Sequence, residues 1–390
     1  MPYAASLSTR ADTQAAFEDV CRDVRNQLQG ARPDLAFLFV SPSHRDQLER
    51  GLELLCAELG CRHLIGCTGE SIAGAGIEVE NEPAISLWAA ALPGVELESF
   101  HLEFQRSPDG VFSTGFPELT DDIRRDAQAV FFVGDPYSCA PDLLIDQLAD
   151  ELPGVPLIGG MASGGAAPEQ NRLFWNRALL NRGGVGVIVC GGPPIRSIVS
   201  QGCRRIGTTF VVTKAQQNVV LELGGRPALE RLQELFQSLP QEERALMQRG
   251  LHLGIVMNEY QETFQSGDFL ISNVIGADQD SGAIGIGNLI RVGQTVQFHV
   301  RDAETADEEL LQLLQRATAD HAHYGAALLF SCNGRGTRLF SKPNHDAQAI
   351  QSVCGPLPLA GFFAQGELGP VGGKNYIHGF TASIALFGGV

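Results

Sequence analysis

Short apolar runs recur along the chain, each followed by a polar loop, an amphipathic stretch and a second apolar segment ending in a glycine-rich turn. Three copies of this unit are legible. The first runs LAFLFVS (35–41), a helix predicted over 45–59, then HLIGCTGES (63–71). The second runs AVFFVGD (129–135), a helix over 141–152, then PLIGGMASGG (156–165). The third runs AALLFSCNGRG (326–336), a helix over 345–354, then PLAGFFAQGELG (358–369). Leu48, Leu52, Leu55 and Leu59 fall at spacings of four, three and four, and Leu144, Leu148 and Leu152 at spacings of four, which puts one buried stripe on each helix. A further apolar strand follows each unit, AISLWAAAL (84–92), GVGVIVCGG (184–192) and GFTASIALF (379–387), placed to extend the sheet of its own unit.

Runs such as LAFLFV and AVFFV fit strands buried on both faces, whereas 195–223 reads as successive antiparallel strands with turns near Gly202 and Gly207. The expected fold is therefore α/β, with layered mixed β-sheets flanked by helices, in two related domains built from repeated strand–helix–strand units. Gly224-Gly225-Arg226-Pro227 marks the expected boundary, giving domains of 30–226 and 227–390, because two glycines end a strand and Pro227 suits the first turn of a helix over 227–238. Helical sequence continues to about Arg249, followed by strand LHLGIVM, a hairpin region FLISNVIGADQDSGAIGIG and strand TVQFHVRD. A long helix is expected from Thr305, with Thr305 and Glu308 as a capping box. The Ser-, Pro-, Gly- and Asp-rich stretch 105–122 reads as a surface loop.

Composition narrows the function classes. The chain has 390 residues, with 28 Lys and Arg against 45 Asp and Glu, a formal net charge of −17 that repels a phosphate backbone and argues against nucleic acid as a partner. No apolar run approaches the roughly 20 residues of a membrane helix, and the first residues lack the basic and apolar segments of a signal peptide. The expected location is the cytoplasm. The nine cysteines form no CxxC pair, so reduced thiols rather than a zinc cage or a disulfide framework are expected.

HLIGCTGESI, PLIGGMASGG, CNGRG and above all PLAGFFAQGELGPVGGKNYIHGFTASIALF resemble the FIST N and FIST C domains, from about Asp34 to Phe387. The resemblance implies an intracellular sensory and signal transduction module that binds a small molecule, an amino acid or related metabolite, and acts through a separate signalling partner such as a kinase. It also implies a second reading, since some FIST-type proteins are haem-containing nitric oxide sensors. Haem is thus a cofactor to test, although the sequence selects no ligand among His252, His299, His345 and His378.

The candidate ligand-binding residues lie at strand ends. Gly366–Gly379 (GELGPVGGKNYIHG) combines five glycines with Glu367, Lys374 and His378. A small zwitterion needs a cation for its carboxylate and a carboxylate for its ammonium, roles suited to Lys374 and Glu367. Arg335 leaves a buried strand in CNGRG, where its planar fork suits a carboxylate or phosphate, with Cys332 beside it. Thr68 and Glu70 in GCTGES, and Ser163 in GGMASGG, occupy the equivalent ends of the other units and complete a composite cleft. A cysteine-dependent enzyme would use Cys332 as nucleophile and His378 as base; a ligand-free interaction scaffold would use neither. His321 and His323 read as groups near a helix C-terminus rather than as metal ligands.

Overall fold

The computed structural model describes residues 2–108, 110–261, 263–264, 267–319 and 323–389. The three apolar runs form strands Leu35–Val40, Ala127–Gly134 and Tyr324–Cys332. Each pairs in parallel with the second strand of its repeat: His63–Thr68, Leu157–Met161 and Leu359–Ala364. On its other side each pairs antiparallel with the repeat's last strand: Ile85–Ala90, Gly184–Cys190 and Ala382–Gly388. Beyond that lies a strand that opens the repeat: Tyr3–Ser8, Glu96–Ser107 and Ile195–Ser200. Helices Leu48–Leu59, Pro141–Glu151 and His345–Cys354 make the parallel crossovers; a 3₁₀ turn over Pro42–Gln47 takes the first part of the helix expected from 45.

The repeats share one backbone requirement. Gly66, Gly159 and Gly361 stand opposite Leu38, Phe132 and Leu329 in the parallel pairs. A Cβ at these glycines would sit 1.9, 1.8 and 1.9 Å from the carbonyl oxygens of those partners, so any side chain would displace the neighbouring strand.

Each sheet is completed by a hairpin from another repeat. Leu173–Trp175 and Ala178–Leu180 of the second repeat extend the first sheet beyond His63–Thr68. Glu367–Val371 and Lys374–His378 of the third extend the second sheet beyond Leu157–Met161. Ser71–Gly74 and Ile77–Glu80 of the first extend the third sheet beyond Leu359–Ala364. The exchange is therefore a closed cycle. The inner faces of all three sheets meet in one core, where Phe37 contacts Phe131 at 5.2 Å between ring centroids, Phe39 contacts Phe362 at 5.1 Å and Phe131 contacts Phe387 at 5.6 Å. Helices cover the outer faces: Thr13–Gln27 and Leu48–Leu59 on the first sheet, Pro141–Glu151 on the second, Ala303–Thr318 and His345–Cys354 on the third.

The chain forms two compact units, Met1–Ser200 with Leu310–Val390, and Gln201–Glu309. All three repeats lie in the first. The second is an antiparallel barrel in which Cys203–Gln216, Thr295–Arg301, Leu251–Val256, Phe269–Asp278, Ala283–Ile286 and Val219–Leu223 pair in that order, the last closing back on the first. The Gly224–Pro227 junction lies inside this unit, leading from Val219–Leu223 into helix Ala228–Ser238.

Three local expectations are corrected. Gly207 does not turn the chain: its φ of +64° marks a bulge within the continuous strand Cys203–Gln216, where the register with Thr295–Arg301 shifts between Ile206 and Thr209. Much of 105–122 is an exposed ribbon rather than a loop, because Glu96–Ser107 runs on and pairs with Gly110–Thr114. The long helix begins at Ala303, and its cap is Asp302, whose carboxylate accepts the Thr305 amide at 3.2 Å and the Thr305 hydroxyl at 2.6 Å.

Candidate functional site

The strand-end loops of the three repeats meet. Thr68 is buried; its hydroxyl accepts the Arg172 amide at 2.9 Å, and its carbonyl accepts the Ser163 and Gly164 amides at 3.2 and 3.1 Å. The Ser163 hydroxyl accepts the Glu70 amide at 2.8 Å and donates to the Phe363 carbonyl. One side chain from the second repeat thereby holds the backbone of the first and third. Above it the Glu70 carboxylate pairs with Arg338, whose Nη1 also donates to the Asn333 carbonyl at 2.8 Å. Arg45 donates through Nη2 to the Gly164 carbonyl at 2.6 Å. Two buried polar atoms at this junction, Arg45 Nε and Asn333 Oδ1, have no hydrogen-bond partner among the described residues. Sequence reasoning placed Thr68, Glu70 and Ser163 here and missed Arg45, Asn333 and Arg338. Arg338 lies just past the CNGRG motif, and that proximity was the available signal.

Arg335 occupies a different place from the one expected of an exposed ligand fork. It is fully buried, and its Nε and Nη2 donate to Asp346 Oδ2 and Oδ1 at 2.7 Å each, while its guanidinium lies 5.2 Å over the Phe340 ring. Asp346 also accepts the Ser331 hydroxyl at 2.7 Å and meets His345 Nδ1 at 2.9 Å. Burial would raise the Asp346 carboxyl, but the charge and hydrogen bonds of Arg335, with His345, outweigh it and hold the group well below the usual carboxylate range. Glu78, on the hairpin from the first repeat, is also buried and accepts the Ala347 amide at 2.8 Å. Desolvation first, and the Asp346 charge second, push its carboxyl up.

Glu367 is fully buried beside this cluster. Its Oε2 accepts the amide and hydroxyl of Thr381 at 3.0 and 2.9 Å, and the Cys332 thiol hydrogen-bonds the carboxyl. Burial raises it from 4.5 to about 8, against the opposing pull of Thr381, Cys332 and Arg335, so it holds its proton at neutral pH. His378 is its register partner, with Nε2 on the Gly369 carbonyl at 2.9 Å, and burial lowers it to about 4. Lys374 is exposed and pairs with Val371 at the far end of the same hairpin, four register positions from the Glu367–His378 pair. The structure thus brings Cys332, Arg335, Glu367 and His378 to one buried end of the third repeat, brings Thr68, Glu70 and Ser163 to the junction, and leaves Lys374 apart.

The four histidines considered as haem ligands are buried or engaged with protein groups among the described residues. His345 stacks on Phe340 at 3.4 Å between centroids, His378 is held on Gly369, and His252 and His299, register partners in the barrel, are buried and lowered to about 4 chiefly by desolvation. Among the described cavities the lining histidine is His101. His321 lies outside the described residues. No group of three or more His, Cys, Asp or Glu among the described residues is arranged to hold a metal, and no described helix is long and apolar enough to cross a membrane.

A three-repeat α/β assembly with a polar junction at its strand ends, carrying a β-barrel in its third repeat, defines the class of protein. The FIST N domain matches residues 34–226 and the FIST C domain residues 228–370. The chain belongs to this family, whose domains are associated with sensing in signal transduction. It is similar along its whole length to uncharacterized mycobacterial proteins. One from Mycobacterium tuberculosis (strain ATCC 25618 / H37Rv) is 44% identical over 390 residues, covering 99% of this chain and 100% of the relative. Another, from Mycobacterium bovis (strain ATCC BAA-935 / AF2122/97), is 41% identical over 390 residues, with 99% of each covered.

Proposed function

We propose that this protein is a cytoplasmic sensor of a small zwitterion, an amino acid or related metabolite, and that it signals through a separate partner protein such as a kinase. The observation that carries the reading is the Glu70–Arg338 ion pair. It joins loops of the first and third repeats, is partly open to solvent with side chains 28% and 51% exposed, and sits beside the unpartnered Arg45 Nε and Asn333 Oδ1. A free amino acid offers the same two charges. Its ammonium replaces Arg338 at Glu70 and its carboxylate replaces Glu70 at Arg338, so binding separates the two loops that the ion pair otherwise joins. That difference between bound and free states is what a partner would read.

A thermal-shift screen of the free amino acids and related metabolites tests this. Ligand at a hundredfold excess over its dissociation constant stabilises the folded chain by about 2.7 kcal/mol, and Glu70→Gln or Arg338→Gln removes that shift. A screen without a stabilising compound, or a shift that survives both substitutions, overturns the reading.

A further inference from the structure

Three arginines gather at one end of a groove on the outer face of the first repeat. Arg32, Arg62 and Arg177 line a cavity of about 320 Å³ at the C-terminal end of helix Leu48–Leu59, together with Cys56, Cys61 and Asn176 and with no carboxylate among the lining residues. In a chain of net charge −17 such a cationic wall runs against the general composition. Arg32 donates to the Gly60 carbonyl and Arg62 reaches Asp34 at 3.4 Å. Arg177 has no carboxylate partner among the described residues. It lies in the turn between Leu173–Trp175 and Ala178–Leu180, the hairpin donated by the second repeat, next to Asn176, whose side chain accepts the Leu64 amide at 3.0 Å and fixes the turn over the helix end.

A second cavity of about 620 Å³ continues from the first, sharing Cys56 and Arg177. Its floor is apolar, with Leu52, Ala57 and Leu179, and its far end carries Glu49 and Glu53, one helical turn apart on the same face. The groove therefore runs from an acidic end to a cationic end along the helix. At 1.5 Å per residue, Glu49 to Gly60 spans on the order of 16 Å, the length of about four or five extended residues.

We propose that this groove binds a short unmodified peptide, with its terminal ammonium against Glu49 and Glu53 and its terminal carboxylate among Arg32, Arg62 and Arg177. Charge complementarity at both ends sets the orientation, and the apolar floor takes the intervening side chains. The site is separate from the strand-end junction and stands without it.

Titration calorimetry with tetra-alanine at low salt tests the proposal, using the full chain and three probes: the free peptide, its C-terminal amide and its N-acetyl form. The free peptide is expected to bind, the amide to bind about tenfold or more weakly from loss of charge-assisted hydrogen bonds, and the N-acetyl form to be weakened in the same direction. Arg177→Gln, at an exposed turn, should weaken the free peptide while leaving the melting temperature unchanged. Glu70→Gln should leave it unaffected, which separates the groove from the junction. Absence of tetra-alanine binding, equal binding of free peptide and amide, or loss of binding in Glu70→Gln each overturns the proposal and leaves the arginines as partners of the helix terminus alone.

Discussion

The Ser163 hydroxyl accepts the Glu70 amide proton at 2.8 Å, and through its own proton, given to the Phe363 carbonyl, it satisfies backbone groups from two repeats other than its own. Ser163→Ala leaves both groups without that partner at a buried junction. The expected loss is about 1–3 kcal/mol, measured by urea unfolding, with reduced hydrogen-exchange protection at Glu70.

Arg335 and Asp346 are a buried bidentate pair, and removing one partner strands the other's charge. Arg335→Met is expected to cost about 3–5 kcal/mol, while Arg335→Met combined with Asp346→Asn recovers a substantial part, because a neutral amide is easier to bury than an unpaired carboxylate. A double-mutant cycle from denaturant midpoints checks the coupling. Additive losses would show that the two residues do not act as a pair.

Glu367 makes stability depend on pH in a defined window. Its folded carboxyl holds a proton up to about 8, while the ordinary value is 4.5. Folding therefore takes up a proton between these values, and this contribution is full below 4.5, falls as pH rises and is lost above about 8. Glu367→Gln keeps the shape of the protonated acid and does not titrate. The stability of the native protein relative to the variant should decline steadily from pH 5 to pH 8. His252 and His299, lowered to about 4, act in the opposite sense, losing their contribution as pH falls from 6.5. They are present in both proteins, so the comparison isolates Glu367. A flat difference curve would refute the assignment.

Gly361→Ala places a methyl group against the Leu329 carbonyl oxygen, a backbone atom that no rotamer change moves. Overpacking of this kind costs about 1–3 kcal/mol and sometimes more, and the upper end is expected here. Gly276→Ala, where nothing lies within 4 Å, serves as the control and should change the unfolding midpoint little.

The strand–helix–strand repeats were readable because their signals are local: apolar runs of strand length and leucines at helical spacing. Hairpin exchange was not, since nothing in IEVE or KNYIH states which distant edge will accept it. Barrel closure escaped for the same reason, as Cys203–Gln216 pairs at its two ends with strands on either side of it. Arg335 looked like a ligand fork because its partner Asp346 lies eleven residues on, at the start of a helix, where an aspartate reads as an ordinary first-turn acid. Glu367 and Lys374 read as the two charges of one zwitterion site in a glycine-rich segment. Folded into a hairpin, they occupy its opposite ends.

The cyclic exchange of hairpins also bears on how the chain acquires its structure during synthesis. The first sheet has all its strands once residue 180 has left the ribosome, but Leu157–Met161 keeps an open edge until Glu367–His378 arrives. Ser71–Glu80 is made early and waits for Leu359–Ala364. With translation at about 5–20 residues per second, that interval lasts many seconds, and the waiting edges are the ones at which a nascent or truncated chain would pair with a neighbour. A fragment ending at the junction of the two family domains would carry one finished sheet, one unfinished sheet and one orphaned hairpin, so the family boundary does not fall where the sheets are complete.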